Sequence, residues 1–381
     1  MKCFGLDPSS GAYLEIEYDS VITSVDTLIS APADPLYIAP GWIDLQVNGY
    51  AAVDYNSPAT PIEEIARSID VIHSTGTTRL LPTVITGSPE MMLGSLRNLA
   101  RAKEQIPAIE GFHVEGPHIS AEDGPRGAHP RQWVRRPDID EYRTWQEVTD
   151  GGVRLVTLSP EWPEATAYIE KVVEDGVVVS IGHTKATSEQ IDAAVSAGAT
   201  KSTHIGNGAH GVMQRHPNYI WDQLADDRLS AGLIVDGIHL GQAFLKVAVR
   251  AKGVTRSILV TDASMPAMAT PGIYKIGEQE IELTADGRVV LAGQTRLAGS
   301  GLRMDDAVSN VMRMAGVSLV EAISMATRNP ARIGRIGGRQ RGLTAGDRAD
   351  FVLFRYDEQT KKIEVVKTIC GGHEVFAKNA L

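Results

Sequence analysis

Four residues able to bind metal or carry protons each close a mostly apolar run: Glu115 in FHVEGPH, His183 in VSIGHT, His204 in STHIGN and Asp262 in LVTDA. Any one of them alone reads most simply as a hydrogen-bonded polar group at a strand end. All four in the same kind of place are hard to explain as capping. Two imidazoles and one carboxylate suit zinc or another divalent first-row ion, with positions left open for water and ligand. Water on such an ion loses its proton near neutral pH, and Asp262 is then the carboxylate left to accept it. Carboxylates also ligate such ions readily, so Asp262 as a fourth ligand is the alternative.

These residues must be held by something that brings separate strand ends together. Strand-like runs (WIDLQVNG, RLLPTVIT, AIEGFHVEG, VRLVTLSP, VVVSIGH, KSTHIGN, AGLIVDGIH, SILVTDAS) alternate with helix-like runs such as PIEEIARSIDVIHSTG, SPEMMLGSLRNLARAKEQ and LGQAFLKVAVRAKG. Pro, Ser or Thr opens several of the helices and Gly closes several, as caps do. Alternating strand and helix implies a parallel sheet, and about eight units imply an α/β fold of the (β/α)8 barrel type. In such a barrel the strand ends share one face, where active sites are built. GIYKIGEQEIELTADGRVVLAG breaks the rhythm with period-two alternation and an ADG turn, and reads as a β-hairpin inserted after the eighth strand. Both ends of the chain are rich in short strands and turns. The expected organisation is residues 1–40 and 337–381 as one small β-sandwich domain around a barrel of residues 41–336. RIGRIGGRQRG reads as the linker back to that domain and not as a nucleotide loop, because no strand–loop–helix context surrounds it.

Composition limits the partners. The chain has 381 residues, 43% of them hydrophobic and 22% charged, with a net charge of -10. That balance argues against a broad nucleic-acid or anionic-membrane surface, while leaving room for a local basic pocket. Cys3 and Cys370 form no CxxC and no disulfide framework, so a reducing cytoplasm is the expected location. The opening MKCFGLDPSSGAY has no apolar core of signal-peptide length, and no run is long enough to span a bilayer.

The ordered set PGWIDLQVNG, TGTTRLLPTVIT, FHVEGPHI, RGAHP, VSIGHT, STHIGNGA, IVDGIHL, LVTDA, LAGSGLRM, MATRNPARIG and LTAGDRADFVLF runs along nearly the whole chain. Each piece is weak alone; together and in order they resemble the amidohydrolase superfamily, and within it the N-acetylglucosamine-6-phosphate deacetylase family. The resemblance implies a metal-dependent hydrolase barrel and a linear amide as substrate. In the superfamily the first strand carries His-x-His, but here those positions hold Gln46 and Asn48. Several members of the deacetylase family make the same replacement and resemble one-metal enzymes. Carried over, the ligands are Glu115, His183 and His204, and the cofactor is one divalent ion, zinc first, with iron, cobalt or manganese as alternatives. Gln46 and Asn48 are poor first-row ligands, so a second site there would be weak, and hydrogen bonding around the position is the plainer role.

By the same resemblance, Asp262 takes a proton from the attacking water and returns it to the leaving amine. His129, beside Ala128 in RGAHP, would polarise the acetamide carbonyl or hold a sugar hydroxyl, and His239 of DGIH would contact substrate. A structural hydrogen bond is the alternative for either histidine. Asn207 and Gly208 match the family's substrate-contacting Asn-Ala pair, with Ala replaced by Gly. Arg215 matches an Arg that binds phosphate from a neighbouring subunit, which implies a homodimer. Here the family's Met is missing and His210 is extra, while His216 stands where an acidic residue is usual. Leu297, Ala298 and Gly299 match another substrate-contacting segment. The expected reaction is deacetylation of N-acetylglucosamine 6-phosphate in amino-sugar catabolism. Alternatives are the galactosamine isomer, an unphosphorylated sugar, a deaminase or cyclic-amide hydrolase, or a sugar-binding relative without activity. His73 and His118 read as structural or solvent-facing, and Met304, Met312, Met314 and Met325 as packing.

Overall fold

The computed structural model describes residues 1–338 and 342–378. Arg339, Gln340 and Arg341 of the glycine-rich linker lie outside the described residues. Eight strands form one sheet in sequence order: β1 (Trp42–Val47), β2 (Thr77–Ile85), β3 (Phe112–Glu115), β4 (Val153–Leu158), β5 (Val178–Ile181), β6 (Lys201–Ser202), β7 (Ser230–Leu233) and β8 (Ser257–Leu259). All neighbouring pairs are parallel. The sheet closes just beyond β8, where Val47 bridges Ala263 and the Asp262 N–H donates to the Gln46 carbonyl at 3.0 Å.

The connections are helical because their apolar residues recur at helical spacing. In α1 (Ile62–His73), Ile65, Ile69 and Ile72 fall on one buried face. In α2 (Pro89–Lys103), Ser88 caps the first turn and Pro89 occupies the first helical position, where its missing N–H costs nothing. Between β3 and β4 lies α3 (Ile139–Val148), and α4 (Ala165–Glu174) follows β4. A reciprocal Thr187–Gln190 capping box starts α5 (Ser188–Ser196). The seven-residue α6 (Tyr219–Ala225) and then α7 (Gln242–Lys252) complete the ring up to β8.

Seven further strands form a sheet from both ends of the chain, in the order His373–Ala377, Lys362–Cys370, Phe351–Asp357, Tyr37–Pro40, Lys2–Leu6, Tyr13–Tyr18, Ile22–Leu28. Its hydrogen bonds make one continuous sheet, and Ile16, Ile22, Ile38, Phe351 and Ile369 share one buried cluster. Tyr37–Pro40 is central and leads through Gly41 straight into β1. A buried ion pair ties this sheet to the barrel: Arg79 of β2 lies 2.6 Å from Asp350, with exposures of 4% and 0%.

The insertion after β8 goes further than the expected hairpin. It is a three-stranded antiparallel sheet of Gly272–Ile276, Gln279–Leu283 and Val289–Leu291. Leu297 bridges Val290 beside it, and Ser300 returns to bridge Ala263.

Candidate active site

Glu115 ends β3, while His183, His204 and Asp262 each follow their strand by two or three residues. The strands stop early because the backbone turns away. His183, His204 and Asp262 all have positive φ, at 50°, 27° and 50°. Non-glycine residues rarely adopt this region, and strain of this kind clusters at functional sites.

The three expected ligands converge. His204 Nε2 lies 2.9 Å and His183 Nε2 3.2 Å from Glu115 Oε1, and the two Nε2 atoms are 3.1 Å apart. All three side chains are buried. Burial works against the Glu115 charge, yet its contacts with His183 and then His204 hold its carboxyl well below the ordinary range. Burial pulls His183 down, but the contact with Glu115 outweighs it and raises that imidazole. For His183 the tautomer also suits a divalent ion, whereas His204 Nδ1 is buried without a partner among the described residues. His183 Nδ1 lies 2.8 Å from the Pro125 carbonyl, which can only accept, so the proton sits on Nδ1 and the Nε2 lone pair faces the other two ligands.

Gln46 and Asn48 come to the same place. The Gln46 amide donates to Glu115 Oε1 and to Asp262 Oδ1, both at 3.0 Å, and the Asn48 amide donates to Asp262 Oδ1 at 2.7 Å. Carboxylates only accept, so the amide nitrogens must face them. Both amide oxygens are left buried and without a partner among the described residues. Asp262 Oδ1 is thus doubly held, while Oδ2 accepts no hydrogen bond from a described side chain. Burial raises the Asp262 carboxyl, the Glu115 charge raises it further, and His204 and Asn48 oppose the shift.

Beneath this centre the barrel interior is polar. Thr83 Oγ1 lies 3.4 Å from His113 Nδ1, His113 Nε2 2.8 Å from Thr157 Oγ1, and Thr157 Oγ1 2.7 Å from Thr203 Oγ1. Burial pushes His113 down to about 3, so it packs as a neutral ring. Asp44 accepts from the Thr261 hydroxyl at 2.5 Å, and burial pushes its carboxyl up to about 7.

The centre opens into a cavity of about 330 Å³ whose lining includes Glu115, His183, His204 and Asp262. Of the expected substrate contacts, Ala128, His129, Asn207, Gly208, His239, Leu297, Ala298 and Gly299 all line it, as does Asn48. His129 Nδ1 meets the Thr86 hydroxyl at 2.8 Å, and burial followed by the nearby His183 pushes this imidazole down to about 3. His239 Nδ1 lies 2.6 Å from Asp236, which leaves Nε2 for a ligand. Gly208 has φ +56°, and a Cβ there would sit 2.6 Å from His183 Nδ1. That packing is a local reason for Gly where the resembling family has Ala.

Arg215 is different. It is exposed and is not among the cavity-lining residues of this chain. His216 is exposed too, and His210 is engaged by Glu122 at 3.0 Å and by the Tyr219 hydroxyl at 2.9 Å. His118 is fully buried, stacked on Trp145, and His73 contacts the Thr77 carbonyl at 2.8 Å. The sequence reading did not pick out Ile276, Gln279 or Arg296, which line the cavity from the inserted sheet and its following turn. The break in the strand–helix rhythm marked that segment, but nothing in it showed which way it folds. Among the described residues, no helix is long and apolar enough to cross a membrane.

The sequence profile of the amidohydrolase family matches residues 37–375. The N-acetylglucosamine-6-phosphate deacetylase of Bacillus subtilis (strain 168) is 32% identical over 354 residues, covering 91% of this chain and 86% of that one. The N-acetylgalactosamine-6-phosphate deacetylase of Shewanella sp. (strain ANA-3) is 35% identical over 361 residues, covering 90% and 87%. A mutant N-acetyl-D-glucosamine-6-phosphate deacetylase from Mycobacterium smegmatis, solved in complex with N-acetyl-D-glucosamine-6-phosphate, superposes with a TM-score of 0.86 at 30% identity, covering 96% and 94%.

Proposed function

This chain belongs to the amidohydrolase family, and on that premise we propose that it hydrolyses N-acetylglucosamine 6-phosphate to glucosamine 6-phosphate and acetate. The observation that carries the reading is one cavity in which Glu115, His183 and His204 converge beside an Asp262 with a free carboxylate oxygen. The relatives named above are deacetylases, which favours acyl transfer to water over the deaminase and ring-opening alternatives.

Glu115, His183 and His204 would hold one divalent ion, zinc first. When bound, the ion supplies a Lewis acid for the amide carbonyl and acidifies water. Gln46 and Asn48 fix Asp262 by its Oδ1, which leaves Oδ2 to act in the cavity that Asp262 lines. From there Asp262 takes the proton of the attacking water and returns it to the nitrogen of the departing amine. An amine leaves poorly until protonated, so one carboxylate serves as base and then as acid. Neutral His129 and the Nε2 of His239 bind or orient substrate, with Ala128, Asn207, Gly208 and Leu297–Gly299 as the walls. Gln46 and Asn48 act as hydrogen-bond donors, not as a second metal site. Arg215 would reach a phosphate only in another copy's cavity, which is the basis for a homodimer. Residues 41–336 are the hydrolase unit, and the cytoplasm is its proposed location.

The galactosamine isomer is the second reading, favoured by the Shewanella relative and by the altered GNGAHGVMQRH loop. Acetate release from both 6-phosphates and from unphosphorylated N-acetylglucosamine separates them. Fast release from N-acetylglucosamine 6-phosphate alone is expected. Preference for the isomer replaces the sugar and keeps the mechanism; no acetate from any of them overturns the deacetylase reading. Metal analysis of the purified protein identifies the ion.

A further inference from the structure

We infer that Arg296 is the cation this chain presents to the phosphate of its own substrate, an inference that rests on the sugar-phosphate reading above. Among the described residues lining the cavity, Arg296 is the one Arg or Lys. Its position is built. The Leu291 N–H donates to the Arg296 carbonyl at 2.9 Å, and Leu297 next to it bridges Val290, so the residue is fixed to the edge of the inserted sheet. From there the chain runs along the cavity wall through Leu297, Ala298 and Gly299 to Ser300, whose N–H donates to the Asp262 carbonyl at 2.9 Å. One short segment therefore joins the cation to the strand end that carries the catalytic carboxylate.

The guanidinium is available. Nη1 donates to the Gly127 carbonyl at 3.2 Å, which spans the gap between the inserted sheet and the loop before Ala128. Asp123 lies 4.0 Å away, and its carboxylate is already paired with Arg126. The remaining N–H groups of Arg296 make no hydrogen bond to a described residue, and the side chain is 39% exposed. A planar guanidinium with free donors at a cavity wall suits bidentate binding of a phosphate. Arg215 is exposed and outside this cavity, so it cannot fill the same role within one chain.

The test compares wild type with R296A, R296K and R215A in two ways: acetate release from the phosphorylated and unphosphorylated sugar, and calorimetric binding of inorganic phosphate. R296A is expected to raise KM for the 6-phosphate by roughly 10- to 100-fold, the value of one or two charge-assisted hydrogen bonds. Its kcat and its turnover of the unphosphorylated sugar stay near wild type, and its phosphate binding is lost. R296K, which keeps the charge but not the fork, falls between. The inference is overturned if R296A leaves the ratio of the two KM values and phosphate binding unchanged, including the case where R215A alone changes them. If wild type releases no acetate from any sugar, the deacetylase reading fails. Phosphate binding then still decides the role of Arg296.

Discussion

Replacing Asp262 with Asn separates the proposed proton carrier from the proposed metal ligands. The amide has the size of the carboxylate, and its oxygen can still accept from Gln46 and Asn48, which now donate to Oδ1 at 3.0 and 2.7 Å. Its NH2 group then takes the place of Oδ2 and cannot accept a proton. General acid–base catalysis contributes roughly 10²- to 10⁴-fold, or about 3–5 kcal/mol of barrier. Because the same group would act in both proton transfers, a loss near the upper end is expected. Folding is not expected to suffer. Burial and the Glu115 charge already disfavour the Asp262 carboxylate, so removing its charge relieves repulsion. The assays are acetate release, metal content by elemental analysis and thermal unfolding, each on protein prepared side by side. The expected outcome is turnover down by at least a hundredfold, with metal content and melting temperature near wild type. Loss of metal together with turnover would make Asp262 a fourth ligand. Retention of a tenth or more of kcat would mean that another group carries the proton.

Two further predictions concern the scaffold. Arg79→Leu leaves Asp350 buried with its nearest cation gone, although Arg348 at 3.2 Å and the Gly371 N–H at 2.6 Å still touch it. A loss of about 3 kcal/mol in urea unfolding is expected, and an unchanged midpoint would show that those contacts suffice. Asp44 is pushed up to about 7, so the folded protein holds a proton that the unfolded chain has released above about 4. Stability from this group is therefore full below about pH 4 and falls as pH rises towards 7. Asp44→Asn removes that fall. Relative to wild type, the variant is expected to gain roughly 2–3 kcal/mol between pH 5 and pH 7, and parallel stability curves would refute the assignment.

Much of this was legible in the sequence because a barrel strand announces itself by an apolar run, and its chemistry sits at one end. Glu115, His183, His204 and Asp262 could be found that way. Side-chain partners were harder. Gln46 and Asn48 could be read as poor ligands, but that their amides grip Asp262 depends on the closure between β1 and β8. Two helices were not anticipated. α3 buries only Tyr142 and Trp145 among many charges, and α6 is a single short run inside a loop. Nothing in the sequence singles out Arg296, since only the folding of the inserted sheet brings it to the cavity. Arg215 fitted a motif, and the single chain leaves it exposed.

The sheet built from both ends has a consequence for how the chain is made. Tyr37–Pro40 pairs on one side with Lys2–Leu6 and on the other with Phe351–Asp357. The second partner leaves the ribosome about 300 residues later, some 15–60 s at usual elongation rates. During that interval the central strand has one open edge, and edges of this kind recruit other chains. Once the last strands arrive, they seal that edge and set the Arg79–Asp350 pair in place. The final stretch of translation thus works as a clasp, and a nascent chain cut short before Phe351 would leave the ribosome with that edge exposed.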